Sequence, residues 1–128
     1  DTIKNDIDKN TSFVVVDNNK IVATFALIIG EDSCYKNIYE GKWLTNNIYG
    51  TIHRLAIDNS YKRKGIGNII IQYSENYCVN NNVNSLRIDT HKLNIPMTKL
   101  IEKNNFTYCG IIKTEYSSNR IAYEKILK

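Results

Sequence analysis

Two apolar, β-branched segments, Ser12 to Val16 and Ile21 to Ile29, flank the polar tetrad Asp17-Asn18-Asn19-Lys20. Asn and Asp tolerate positive φ, so the tetrad predicts a turn and the segments an antiparallel hairpin. Ahead of them Ile3 and Ile7 stand four apart among polar residues, which predicts the tail of a helix over Asp1–Lys9. Glu31 to Asn47 shows no period; it scatters Tyr35, Tyr39 and Trp43 among polar residues and reads as a long loop. Ile48 to Ile57 predicts a strand, broken by Asp58-Asn59-Ser60. From Gly65 onward, Ile66, Ile69, Ile70, Tyr73 and Tyr77 recur at helical spacing and predict one apolar stripe. Asn80-Asn81-Asn82 ends that helix, and Ser85 to Thr90 predicts the next strand. Asn94 caps a second helix with Pro96 in its first turn and a core face of Met97, Leu100 and Ile101. Asn104-Asn105 stops it, one of the two in the left-handed conformation. Phe106 to Lys113 and Arg120 to Leu127 predict two last strands around a Glu115–Asn119 turn.

The order is β-β-loop-β-α-β-α-β-β. Strand-helix-strand around the first long helix requires a parallel pair with a right-handed crossover, and the remaining connections suit antiparallel pairing. The expected class is a mixed α/β (α+β) fold: a mainly antiparallel sheet, one central parallel pair, flanking helices. At 128 residues the chain reads as a single domain, 1–128, because halves would be too small to bury cores. Composition is ordinary for a globular chain, 42% hydrophobic and 23% charged. With no apolar run of about 18 residues, no membrane span is expected, and the polar start carries no signal-peptide pattern.

Charge alters the picture modestly. Seventeen Lys+Arg against 13 Asp+Glu give +4, which suits an anionic ligand. It is too dispersed for the clustered basic face of a nucleic-acid binder, so no nucleic acid is expected as partner. Cys34, Cys78 and Cys109 are odd in number and lack a CxxC; with only His53 and His91 beside them, neither a disulfide framework nor a metal site is expected. Reduced thiols suit a cytoplasmic protein.

The informative stretch runs from Leu55 to Asn68. A strand feeds the basic loop Lys62-Arg63-Lys64-Gly65-Ile66-Gly67, which opens directly into a helix. Amides at a helix start lack internal acceptors, and the helix dipole adds positive potential there, so the segment reads as a phosphate cradle. The simpler reading makes Gly65 and Gly67 the makers of a tight β-to-α turn. The Walker A pattern is absent, and Ile70 stands where the Rossmann fingerprint needs its third glycine.

Lys62 to Gly67 resembles the [QR]-x-x-G-x-[GA] acyl-CoA motif of the GCN5-related N-acetyltransferases (GNAT). Asn94 to Phe106 is similar to that family's second signature, N-x-x-A-x-x-L-Y-E-K-x-G-F, and the two lie in the family's order. The resemblance runs from about Ser12 to Lys125. It implies the acyl-CoA N-acyltransferase type of fold, with the parallel strands splayed apart. It further implies acetyl-CoA as cosubstrate without a metal, and acetyl transfer to a primary amine, of a small molecule or of a peptide or protein, by direct attack in a ternary complex. Leu55, Ala56 and Ile57 would offer their backbone to the pantetheine arm. Amides of Lys62, Arg63, Lys64, Gly65, Ile66, Gly67 and Asn68 would hold the pyrophosphate. Asn94 would bond the arm, and Met97, Leu100 and Lys103 would line it or its adenine end. A backbone N–H near Leu55–Ala56 would polarise the acetyl carbonyl.

The chain departs from the pattern in four places, one of them Asn105 for the glycine before Phe106, a tolerable change in a left-handed cap. Lys62 replaces the usual Gln or Arg, keeping charge without the fork. Ile101 stands where the family's thiolate-protonating Tyr is found, leaving Tyr108, His91 or Tyr116 as substitutes. The front is short: the chain is read as starting inside the family's second helix, with a weakened acceptor wall and an open sheet edge suited to a homodimer. His53, on the strand entering the site, and His91, after the splayed strand, are candidate proton-transfer groups with Tyr108; structural hydrogen bonding is the plainer role for each histidine. Asp89 reads as a partner of Arg87 or Arg54, Trp43 and Tyr39 as acceptor-side or packing residues, and Cys109 as core. A catalytically silent acyl-CoA-binding module of the same fold is the alternative function.

Overall fold

The computed structural model describes residues 2–6, 9–62, 64–114 and 119–127. Asn18 and Asn19 both take left-handed backbone angles, φ 51° and 66°. They form the two-residue turn joining β2 (Lys9–Asp17) to β3 (Lys20–Ile29), because paired positive φ matches the twist of the flanking strands. Thr2–Asp6 is not helical: it is a strand, β1, antiparallel to β2 with Ile3 opposite Val15. Two apolar residues four apart are too few to set a helical period against the β-branched run Val14–Val16 waiting to be paired. Ile7 lies outside the described residues.

β4 (Gly50–Ile57), α1 (Ile66–Asn80) and β5 (Ser85–Thr90) form the parallel crossover. α2 (Ile95–Lys103), β6 (Thr107–Lys113) and β7 (Asn119–Ile126) complete the order. The seven strands lie as β1-β2-β3-β4-β5-β7-β6, with only β4 and β5 parallel. The expected mixed sheet is therefore present. The Glu115–Asn119 turn falls largely outside the described residues.

α1 buries Ile66, Ile70, Ile71, Ser74 and Cys78, whereas Ile69 is 39% exposed. The buried stripe is thus rotated from the expected one towards Ser74 and Cys78. Ser74 is tolerated there because its hydroxyl donates to the Ile70 carbonyl at 2.8 Å. α1 packs on one sheet face with Phe13, Phe25, Ile52, Leu86 and Tyr123. Ala122, next to Tyr123, points to the opposite face, where it meets Tyr35, Tyr49, Ile112 and Trp43. The loop over residues 31–49 covers that second face.

A buried ion pair holds this loop. Arg87 Nε lies 3.0 Å from Glu124 Oε2, with side chains 4% and 0% exposed. Glu124 also accepts from Ser85 Oγ and, at 2.7 Å, from the Leu44 amide. Arg87 donates to the Thr45 carbonyl and lies between the Trp43 and Tyr49 rings, 4.0 and 3.8 Å from their centroids. Trp43 donates from Nε1 to the Tyr35 carbonyl, so its role is anchorage. At the outer rim of the sheet, Tyr39 exchanges two backbone hydrogen bonds of 2.8 Å with Ile111 of β6. Part of that edge is therefore covered.

Candidate active site

The parallel ladder pairs Gly50 with Leu86, Thr51 with Arg87 and Ile52 with Ile88, then stops. Beyond it β5 stays bound to β7 as far as Thr90 opposite Ile121, while β4 runs on with β3 to Ile57 opposite Ala23. The strands part because β4 carries an extra residue: from Ala26↔His53 to Thr24↔Ala56 is two steps along β3 and three along β4. Arg54 sits in this bulge at φ 52°. The bulge inverts the alternation, so Ile52 before it and Leu55 and Ile57 after it all pack towards α1.

From the parting point β4 presents main-chain groups that β5 does not bond. They face a cleft of about 690 Å³ lined by Leu55, Ala56, Ile57, Tyr61, Lys62, Gly65, Ile66, Gly67 and Asn68 on one side. Asn94, Pro96, Met97, Lys99, Leu100 and Lys103 line the other. One end of the cleft is the start of α1. Gly65 takes φ 81°, and Ile69 is the residue whose amide first returns to a helix carbonyl, that of Gly65 at 3.1 Å. Amides of Ile66, Gly67 and Asn68 therefore have no intrahelical acceptor. Lys64 Nζ stands 5.3 Å from the Tyr61 ring centre, beside this opening. Arg63 lies outside the described residues.

The two glycines are required for different reasons. A Cβ on Gly65 would meet open space, yet its backbone angle is left-handed. A Cβ on Gly67 would lie 2.7 Å from Leu100 Cδ2; Gly67 lets α2 approach α1 and fixes the cleft's width. Asn94 caps α2, its Oδ1 accepting from the Met97 amide at 3.2 Å, which leaves its NH2 group for a ligand. Asn105 takes φ 66° where the family signature has glycine.

A second, smaller cleft of about 160 Å³ meets the first at Leu55, Asn94 and Met97. His53, Arg54, Asp89, Thr90 and Arg120 supply its polar wall. His53 Nε2 is 2.9 Å from Asp32 Oδ2. Asp89 pairs with neither Arg87 nor Arg54: its Oδ2 accepts from Arg120 Nε at 2.8 Å and its Oδ1 from the Tyr35 hydroxyl. Burial, with Asp89 alongside, holds the Tyr35 phenol well above its ordinary pKa.

The remaining candidates lie elsewhere. His91 Nδ1 accepts from the Leu93 amide at 3.1 Å in the turn before α2, and it lines neither cleft. Tyr108 is on β6, beyond β7, 52% exposed against the Tyr123 ring. Tyr116 is outside the described residues. Ile101 is fully buried. Cys78 and Cys109 are buried, and burial pushes both thiols up to about 11, so neither is a ready thiolate. No cluster able to hold a metal occurs among the described residues, and none of their helices is long and apolar enough to cross a membrane. Sequence reasoning missed Asp32, Tyr35 and Arg120 as site residues; only folding brings the loop and the last strand beside β4.

A split parallel pair beside a helix-start cradle defines an acyl-CoA N-acyltransferase type of fold. The sequence profile described as the acetyltransferase (GNAT) family matches residues 1–106, and the chain belongs to that family. It is similar to a GNAT acetyltransferase from Streptococcus agalactiae, with 31% identity and a TM-score of 0.80 over 92% of this chain and 66% of that one. The ribosomal-protein-S18-alanine N-acetyltransferase of Escherichia coli superposes with a TM-score of 0.65 at 16% identity, over 91% and 68% of the two chains. The NatC complex bound to Gag peptide and CoA gives 0.70 at 13%, over 91% and 71%. These last two are likenesses of fold. No curated protein matches the sequence.

Proposed function

We propose that this chain is an acetyl-CoA-dependent N-acetyltransferase, taking acetyl-CoA in the larger cleft and a primary amine in the smaller. The observation that carries this reading is the meeting of the two clefts at Leu55, Asn94 and Met97, where β4 has left β5. A thioester at that junction would be reachable from both sides.

The residues suit the cosubstrate. Orphan amides at Ile66–Asn68 answer a pyrophosphate, with Lys62 and Lys64 adding charge. The unpaired edge of β4 at Leu55–Ile57 can pair with an extended amide-bearing arm. An amine with a pKa of about 10 is mostly protonated at neutral pH and must lose a proton to attack. His53 is the group for this. Asp32 engages its Nε2, leaving Nδ1 to take the proton directly or through water. The attacking nitrogen then forms a bond to the acetyl carbon as the carbon–sulfur bond breaks. A main-chain N–H near Leu55 is the donor for the carbonyl oxygen.

One observation favours the silent-module reading: at Ile101 there is no hydroxyl for the departing thiolate. A thiol of pKa about 8.5 leaves slowly without a proton donor.

Calorimetry with CoA, followed by a thiol-release assay with acetyl-CoA and an amine panel, tests both. Micromolar CoA binding with turnover is expected. His53→Ala should lower kcat about 100-fold with little effect on CoA affinity. Binding without turnover of any amine would establish the silent module, and no CoA binding would overturn the reading altogether.

A further inference from the structure

The charges of the smaller cleft are unevenly committed. Asp32 is engaged by His53, and Asp89 by Tyr35 and Arg120. Arg54 is different: among the described residues it has no acidic partner and no hydrogen bond, yet it lines the cleft. A left-handed backbone angle at a non-glycine residue and a one-residue bulge put it there. Such conformations cost energy and persist where the surroundings impose them. Arg120 commits Nε to Asp89 and is about one-third exposed; its terminal nitrogens remain as donors on the same wall.

Two guanidinium groups, that of Arg54 solvent-exposed and without an acidic partner among the described residues, offer unused donors here. They attract a ligand that brings its own negative charge. At about 160 Å³, against about 690 Å³ for the larger cleft, the smaller cleft suits a small molecule. Resting on the acetyl-transfer reading above, we propose that the acceptor is a small amine that also bears a carboxylate, of the free amino acid class. Arg54, assisted by Arg120, holds the carboxylate, and the amine is turned towards His53.

In this arrangement the acid group stays ionised throughout and takes no part in bond making. The amine loses its proton to His53, and the nitrogen replaces sulfur on the acetyl carbon. Arg54 and Arg120 are binding residues, and their contribution is charge-assisted hydrogen bonding that a neutral acceptor cannot make.

The test compares free amino acids with their carboxamides and with the corresponding decarboxylated amines, using thiol release from acetyl-CoA. Carboxamides contain the less basic amine and would be intrinsically favoured, so a preference for the acids reads the anion directly. We expect kcat/KM at least about tenfold higher for the acids, carried mainly by KM. In Arg54→Gln that ratio should fall towards one; Arg120→Lys, which keeps charge and loses the fork, should lower it partly. Carboxamides or simple amines used as well as the acids would overturn the proposal, as would an unchanged ratio in Arg54→Gln. CoA binding with no member of the panel acetylated would also overturn it. CoA affinity measured on the same proteins separates these failures from failure of the acetyl-CoA site itself.

Discussion

Gly65 and Gly67 look interchangeable in the loop sequence, and the structure separates them. Gly67→Ala forces a methyl group against Leu100 Cδ2. We expect a loss of about 1–3 kcal/mol in urea denaturation together with weaker CoA binding, because α2 is pushed across the cleft. Gly65→Ala should cost only about 1 kcal/mol, from its left-handed angle, with any loss of CoA affinity arising from the reset amides. Unchanged CoA affinity in both variants would discredit the cradle. A further residue tests the accounting of buried polar groups. Thr51 is 1% exposed, and its hydroxyl has no partner among the described residues. Thr51→Val removes that penalty and suits a strand, so thermal melting should show a gain of about 1 kcal/mol. The helix-start cradle of free amides was legible at this scale because a helix start, two glycines and lysines are adjacent in sequence. His91 and Tyr108 are candidates by chemistry and nearness along the chain, but their side chains meet a turn and the sheet surface.

The helices and most strands were readable because each carries its own period and stop residues. The long 31–49 segment was not, since its order comes from residues far along the chain, Glu124 and Arg87 foremost. Glu124 and Arg87 fix it through Leu44, Thr45, Trp43 and Tyr49. Removing one charge leaves the other buried alone. We expect Glu124→Gln to cost about 3 kcal/mol. Trp43 is the sole tryptophan, so a red shift in fluorescence before global unfolding would report the loosened loop. Coincident transitions, with stability unchanged, would show that the pair is not the anchor. The bulge in β4 was equally hidden. It rests on a register mismatch with β3, and no residue type around Arg54 announces it.

For the whole molecule, the two buried thiols impose a direction on pH dependence. Cys78 and Cys109 rise from an ordinary 9.0 to about 11 in the folded state. The native protein then holds protons that the unfolded chain has released, so stability falls as pH rises. Their contribution is complete below about pH 9 and is lost progressively up to about 11. Denaturation midpoints should therefore drop between about pH 9 and 11. Cys78→Ala should flatten the slope even while lowering stability overall, and an unaltered slope would remove Cys78 as a cause. The fold class itself was the most legible feature, because the order of strand and helix signals admits few sheet topologies. At the front a strand stands where a helix tail was expected: β1 pairs along β2 and forms one edge of the sheet, while Tyr39 partly covers the other.

The position of β7 between β5 and β6 has a consequence for synthesis. A ribosome delivers β5 and β6 before their common neighbour exists, so both wait with unsatisfied main-chain groups until residues 119–126 emerge. The same late segment brings Glu124, which clamps the loop, and Arg120, which walls the smaller cleft. Completion of the smaller cleft and closure of the sheet therefore arrive together, when this segment emerges, and the nascent chain is most exposed to aggregation just before then.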